Sequence, residues 1–364
     1  MSKDDYFKGL TGYRAMAAYM VFLFHFNCFE KGSFEYAFTS GLRIGVPLFF
    51  VLSGFLIYTR YNTSEVTVPF YKKYMLNRVA RIYPVYFLAN SLTLLFLVYS
   101  NSSRLLYWLK VYLLNITFAR GYFQKYWDVI LSVGWSLTVE ETFYILAPLL
   151  FLIASDSIKK YLLLFIVIFG SGWLLSFISI HIFHGFFWST YGFMVSWTFF
   201  GHSFAFIVGI IVGVINKRIK TVSFKYFTLI GFSGLLISLL FMSRFAVMEV
   251  ASPANAQSRW IWTFFFEYFS IPFIGAIIWG LIHEDTFVSR ILSTKIFDVL
   301  GKSSYSFYLI HFSFINIIIN MFISKNAFVH FAIILFVSIL TWKLIEEPLN
   351  HRIRTWGFTS KPAY

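Results

Sequence analysis

Long apolar runs, each closed by a short basic or polar segment, set the pattern of this chain. A helix crossing hydrocarbon needs roughly 17–25 mainly apolar residues, because lipid satisfies no backbone hydrogen bond. About ten runs meet that need. They lie near residues 12–29, 43–59, 82–99, 134–154, 161–181, 201–216, 226–242, 261–282, 304–323 and 327–345. The stretch 104–119 is interrupted by Arg104 and Lys110, and an interfacial or re-entrant segment is expected there. The pattern predicts an all-α polytopic membrane protein of about ten transmembrane helices, which places both termini on one side. Neither a repeat nor a low-complexity tract breaks it. Residues 1–350 are therefore expected to form a single transmembrane domain, with 351–364 as a short tail.

Composition excludes the alternatives to a membrane protein. Of 364 residues 59% are hydrophobic and only 13% charged, with 48 Phe, 23 Tyr and 11 Trp; the mean hydropathy is +0.71. A soluble domain usually carries about 25% charged residues, and with half of that it could not cover its surface. The net charge of +14 belongs to no polar domain that could present it to nucleic acid, so no nucleic-acid partner is expected. With the N-terminus inside, 20 of the 30 Lys and Arg fall in inner segments and nine in outer ones, leaving Arg14 within the first span. That bias predicts cytoplasmic termini and contact with anionic membrane lipid. The first run is too long for a signal peptide and no A-x-A-like site follows it, so it is expected to remain. The single cysteine, Cys28, rules out an intramolecular disulfide and a cysteine-built metal site, and no metal is expected.

An ionisable side chain within the bilayer costs at least about 2.5–3.5 kcal/mol, so each one is a candidate for function. The first span carries Arg14 and His25. Eleven helical steps leave them only ~20° apart around the axis and ~16 Å apart along it, which predicts that both face one interior groove. Arg14 snorkelling to headgroups beside a merely packed His25 is the structural alternative. The fourth span opens with Trp135, Ser136 and the adjacent carboxylates Glu140 and Glu141; Glu140 shares a helical stripe with Ser136 and Tyr144. A carboxylate beside an imidazole orients the ring and raises its basicity, and either glutamate could serve. Between the second and third spans, Arg78 and Arg81 are three residues apart and share a helix face, with Lys72 and Lys73 nearby. Their forked donors suit phosphate, whether of a ligand or of lipid. Late in the chain come Ser304, Tyr305 and His311, and after the last span Glu346-Glu347-Pro348, where the proline is expected to end the helix. Cys28, one turn past His25, offers a Cys-His pair.

Taken in order, these motifs resemble the integral-membrane acyltransferase-3 family over about residues 9–350. Arg14 and His25 with ten residues between them are similar to its opening signature. Gly45-Val46-Pro47-Leu48-Phe49-Phe50-Val51-Leu52-Ser53-Gly54-Phe55-Leu56 resembles its second-helix motif, and Arg78-Val79-Ala80-Arg81-Ile82-Tyr83-Pro84 its cytoplasmic basic motif. Trp135-Ser136-Leu137 leading to Glu140-Glu141 is similar to its fourth-helix motif, and Ser304-Tyr305-Ser306 with His311 to its late one. The resemblance implies transfer of an acyl group, most often acetyl, from cytoplasmic acyl-coenzyme A to a hydroxyl of a sugar. The implied acceptor is an envelope or exported polysaccharide, lipid-linked or free, and the implied location the bacterial plasma membrane. Some members carry an esterase-like domain after the membrane unit. None occurs within these residues, so a second step is expected to need another protein.

Residue chemistry and resemblance together give a mechanism in outline. Arg78 and Arg81, with Arg14 and Lys72, are expected to bind the phosphates of acetyl-coenzyme A. His25 is expected to act as general base on the acceptor hydroxyl, oriented by Glu140 or Glu141, with an acyl-histidine as the variant. Trp135, Ser136, Tyr144, Ser304, Tyr305 and His311 are the candidates for substrate contact. The same buried His, Arg and Glu also suit a proton-coupled transporter or flippase, or an acyl-coenzyme A-gated sensor. Oligomeric state has no signature in this sequence.

Overall fold

A computed structural model describes residues 7–63, 65–100, 104–219, 224–251 and 256–359; side chains are described in these ranges except at 100, 245–251, 256–267 and 356–359. Among the described residues the chain is helical throughout, with no strand. The helices are α1 (Lys8–His25), α2 (Phe34–Gly41), α3 (Gly45–Tyr61), α4 (Val68–Ser100), α5 (Leu105–Ile116), α6 (Trp135–Ala154), α7 (Ile158–His181), α8 (Tyr191–Trp197) and α9 (Phe199–Arg218). They continue as α10 (Phe227–Ala251), α11 (Ala256–His283), α12 (Phe287–Leu292), α13 (Lys295–Lys302), α14 (Ser304–Ile310), α15 (Phe314–Phe322), α16 (Ala327–Thr341) and α17 (Glu347–Thr359). Of the sites used above to orient the chain, Lys3, Lys220 and Lys361 lie outside the described residues, as do the side chain of Arg259 and the end of the tail.

Seven helical stretches among the described residues are long and apolar enough to cross a membrane. The pair α14 and α15, bent by 63° at a short break, makes an eighth. The other two runs counted in the sequence also form helices. One is α1, whose Lys8, Thr11 and Arg14 lower its hydropathy; the other is α11, a helix of 28 residues whose described side chains, Tyr268–His283, are mainly apolar. The interrupted stretch expected near 104–119 is α5, 12 residues followed by tight turns.

Two boundaries differ from the expectation, each for a local reason. The basic segment before the third span is not a connecting loop but the first turns of α4, a single helix of 33 residues that runs through Pro84. Pro348 does not end the last span. A π-helical turn at Trp342–Glu346 widens the ladder first, and the proline sits at the second position of α17, where a missing N–H is tolerated.

The chain divides into two compact units. The first comprises Met1–Arg60, Asp156–Gly170 and Phe200–Lys302. Within it, α1 lies against α12 and α13 through small residues. A Cβ on Gly12 would stand 2.2 Å from the Leu292 carbonyl oxygen, and one on Gly301 1.9 Å from that of Thr11. Between apolar helices in lipid, such backbone approach takes the place that hydrophobic burial holds in water. The second unit comprises Tyr61–Ser155, Ser171–Phe199 and Ser303–Tyr364. Here α4 contacts α5, α6, α14, α15 and α17. Tyrosines tie it to its neighbours: Tyr86 Oη donates to the Asn115 carbonyl at 2.9 Å, Tyr83 Oη to that of Ile116 at 3.0 Å, and Tyr305 Oη to that of Ile82 at 2.7 Å.

Candidate functional site

Tyr74, Arg78 and Arg81 follow at i, i+4 and i+7 on α4, which brings them to one face. Burial then separates them. Tyr74 and Arg78 are buried, Arg81 is half-buried, and Lys72 and Lys73 are exposed. Arg78 is 5% exposed, and its guanidinium sits among phenol rings. Nη2 donates to Tyr61 Oη at 3.1 Å, and the guanidinium carbon stands 5.3 Å from the ring centroid of Tyr61 and 5.5 Å from that of Tyr144. Tyr74 closes the cage, edge-to-face with Tyr61 at 4.8 Å and donating to the Tyr144 carbonyl at 2.9 Å. Arg78 Nε is buried with no hydrogen-bond partner, and no carboxylate forms an ion pair with this arginine among the described residues. A rigid, desolvated guanidinium with a donor still unspent suits a planar or tetrahedral oxyanion better than a lysine would.

The opposite wall of that cage comes from α6. Tyr144 Oη donates to Glu140 Oε1 one helical turn back, so the expected stripe is real at that end. Glu141 is buried and within electrostatic reach of both Glu140 and Arg78. Trp135, the first residue of α6, is half-buried. Ser136 is turned elsewhere: its hydroxyl lies 2.7 Å from Tyr308 Oη, and both oxygens are within reach of the Val133 carbonyl at 3.0 and 3.2 Å, so that one hydroxyl donates to the other and the second to the carbonyl.

The late motif fills the break between α14 and α15. Ser304 is fully buried, and Tyr305 reaches back to α4 as described. His311 is fully buried at the break itself, with Nδ1 2.7 Å from the Tyr308 carbonyl and its ring parallel to Phe307 at 6.2 Å. That nitrogen is occupied by the backbone of its own helix end. Next to it, Ser306 Oγ donates to the buried Glu346 carboxylate at 2.7 Å.

Arg14 and His25 belong to the first unit, and the remaining candidates to the second. They lie on one continuous helix as expected, Arg14 at its second turn and His25 as its last residue, both half-buried. The imidazole hydrogen-bonds the Val21 carbonyl and lies 4.7 Å from the Phe24 ring. Cys28 is exposed in the coil beyond the helix end. Among the described residues no group of His, Cys, Asp and Glu could hold a metal ion.

Tyr61, Tyr74, Tyr308 and Glu346 were not among the site residues expected from sequence. The spacing of Tyr74 to Arg78 carried a signal, since i and i+4 meet on a helix. For Tyr61, on a different helix, the sequence held none.

Comparison with known proteins identifies the family of the chain. The acyltransferase domain matches residues 7–346. SACOL0978 of Staphylococcus aureus (strain COL), provisionally named an O-acetyltransferase, is 26% identical over 384 residues, which is 96% of this chain and 58% of that protein. The O-acetyltransferase OatA of Staphylococcus aureus (strain NCTC 8325 / PS 47) is 25% identical over 396 residues, 99% of this chain and 60% of OatA. The chain thus spans about 60% of the length of these curated relatives. No solved structure matches. With the domain match covering nearly all of an apolar chain whose described residues are helical, the protein belongs to the acyltransferase-3 family.

Proposed function

We propose that the protein is an O-acetyltransferase that moves an acetyl group from cytoplasmic acetyl-coenzyme A to a sugar hydroxyl of an envelope or exported polysaccharide. Residues 1–350 act as one catalytic domain in a bacterial plasma membrane, with both termini and the tail from 351 in the cytoplasm. Arg78 and Arg81, with Arg14 and Lys72, bind the phosphates of the donor. His25 takes the proton of the acceptor hydroxyl as its oxygen attacks the thioester carbonyl, and the coenzyme leaves as the thiol. Glu140 or Glu141 supports the charge that develops, and Trp135, Ser136, Tyr144, Ser304, Tyr305 and His311 shape the substrate contacts.

The observation that carries this reading is the buried Arg78, caged by three tyrosines with Nε unpaired. A buried cation with no direct ion-pair partner is costly to keep without an anion to receive. The name of OatA supports acetyl as the group transferred, and the excess of basic residues in alternate loops supports the orientation. General-base help is typically worth about 10²–10⁴-fold in rate. The test is His25→Ala in a normally inserted protein, assayed for acetyl transfer to the polysaccharide fraction. Loss of rate on that scale is expected, and full activity would remove His25 from the mechanism.

A further inference from the structure

Short turns connect α5 to α6, and at their centre Arg120 is fully buried. Four hydrogen bonds leave its guanidinium. Nη1 donates to Asn115 Oδ1 at 2.6 Å and to the Val129 carbonyl at 2.9 Å; Nη2 donates to the carbonyls of Leu131 at 2.5 Å and Ser132 at 3.0 Å. Nε is buried without a partner, and no carboxylate forms an ion pair with the group among the described residues. Sequestering a cation on neutral oxygens alone is expensive. In a loop that could expose it, that expense calls for a reason.

The reason lies in what is gripped. Ile130, between two of the bonded carbonyls, has a φ of +71°. A β-branched residue strongly disfavours that region and stays there only where its surroundings insist. The arginine insists from both sides. Beyond it, Leu131 and Ser132 lead directly into the tight turn at Ser132–Gly134 from which α6 starts. Two glycines fit the loop to that helix. A Cβ on Gly121 would stand 2.8 Å from the Thr138 side chain, and one on Gly134 2.9 Å from Arg120 Nη2. The next carbonyl, Val133, is already taken by the hydroxyls of Ser136 and Tyr308. A single guanidinium therefore grips the turn from which α6 starts.

We infer that Arg120 is a positioning residue for acyl transfer: by clamping the turn at 129–132 it fixes the phase of α6, and so the directions of Ser136, Glu140 and Tyr144. Lysine cannot replace it, because one ammonium cannot serve four acceptors arranged along a fork. The inference rests on the proposed part of α6 in the reaction.

The test uses the whole protein in lipid nanodiscs, with acetyl-coenzyme A as donor and maltotetraose and chitotetraose as acceptor probes. Free thiol release gives kcat and KM, and amide hydrogen exchange reports on residues 135–144. Arg120→Lys is expected to lower kcat about tenfold or more while KM for acetyl-coenzyme A stays within about twofold, with faster exchange at the start of α6. Ile130→Gly accepts the left-handed turn without strain; it is expected to behave as wild type alone and to restore part of the rate and protection in Arg120→Lys/Ile130→Gly. His330→Ala, which loses contacts to Asn316 and Ser324 in the α15–α16 hairpin, serves as the control for lowered Tm. Wild-type kcat and exchange in Arg120→Lys would overturn the inference. So would a loss that His330→Ala reproduces at equal Tm. Full activity in Glu140→Gln would instead sink the proposed role of α6, leaving the clamp intact. If neither probe is acetylated by the wild type, the exchange pattern decides on Arg120.

Discussion

The guanidinium of Arg78 faces the ring of Tyr144 at 5.5 Å, while the hydroxyl of that same tyrosine donates to Glu140. One side chain thus touches both a buried cation and a carboxylate that form no direct ion pair with each other. The ring attracts the cation by about 0.5–2 kcal/mol without discharging it. A direct ion pair would consume the donors that an incoming phosphate needs.

On the proposed roles of Arg78 and Glu140, that relationship would separate donor binding from chemistry at one residue. Tyr144→Phe keeps the ring over Arg78 and removes the donor to Glu140. A lost hydrogen bond to a charged group is worth about 1.5–3 kcal/mol, so kcat is expected to fall about 10- to 100-fold with KM for acetyl-coenzyme A unchanged. Steady-state kinetics on purified protein check the split, and a rise in KM alone would contradict it.

Arg78→Lys places a point charge where a planar fork lies between two rings. KM for acetyl-coenzyme A is expected to rise by about tenfold, with kcat much less affected. Thermal stabilisation by acetyl-coenzyme A, compared with its form lacking the 3′-phosphate, reports which phosphate is lost. An unchanged KM would return Arg78 to lipid binding.

Packing of α1 is testable without any substrate. Gly12→Ala and Gly301→Ala push a methyl group into a backbone carbonyl of a neighbouring element, and each is expected to destabilise by about 1–3 kcal/mol. Gly170, in α7, faces open space, with nothing within 4 Å of where a Cβ would stand, so Gly170→Ala should gain up to about 1 kcal/mol from helix propensity. Thermal unfolding in detergent, followed by monodispersity, distinguishes the two classes.

Removing the hydroxyl from Ser306 takes one donor from the buried Glu346 carboxylate. Ser306→Ala is expected to cost about 1–3 kcal/mol of stability, read as a lower Tm. A larger effect on activity than on Tm would show that the bent span takes part in catalysis.

How much of the site is legible in the sequence depends on distance along the chain. The i, i+4 pairing of Glu140 with Tyr144 and the shared face of Arg14 and His25 follow from helical geometry once a helix is assumed. Ser136 shares that stripe by spacing, yet its hydroxyl is spent on Tyr308, 172 positions away. His311, expected to contact substrate, has Nδ1 at the Tyr308 carbonyl where the span breaks, a partner that its position in the sequence does not announce. Arg120 reads like any other basic residue in an outer loop, and nothing local distinguishes a solvated arginine from one that organises four oxygens.

Hydrophobic run length and the motif order were enough to determine an all-helical membrane chain and its family, because lipid imposes on each segment separately the demand that its backbone be satisfied. Which polar groups remain available is a different matter. Tyrosines 61, 74 and 144 gather around Arg78 from three helices, and a buried group has only as many free donors and acceptors as its neighbours leave unused. Those neighbours are brought by packing, so only the tertiary structure could assign Arg78 its unpaired nitrogen and Arg120 its four oxygen acceptors.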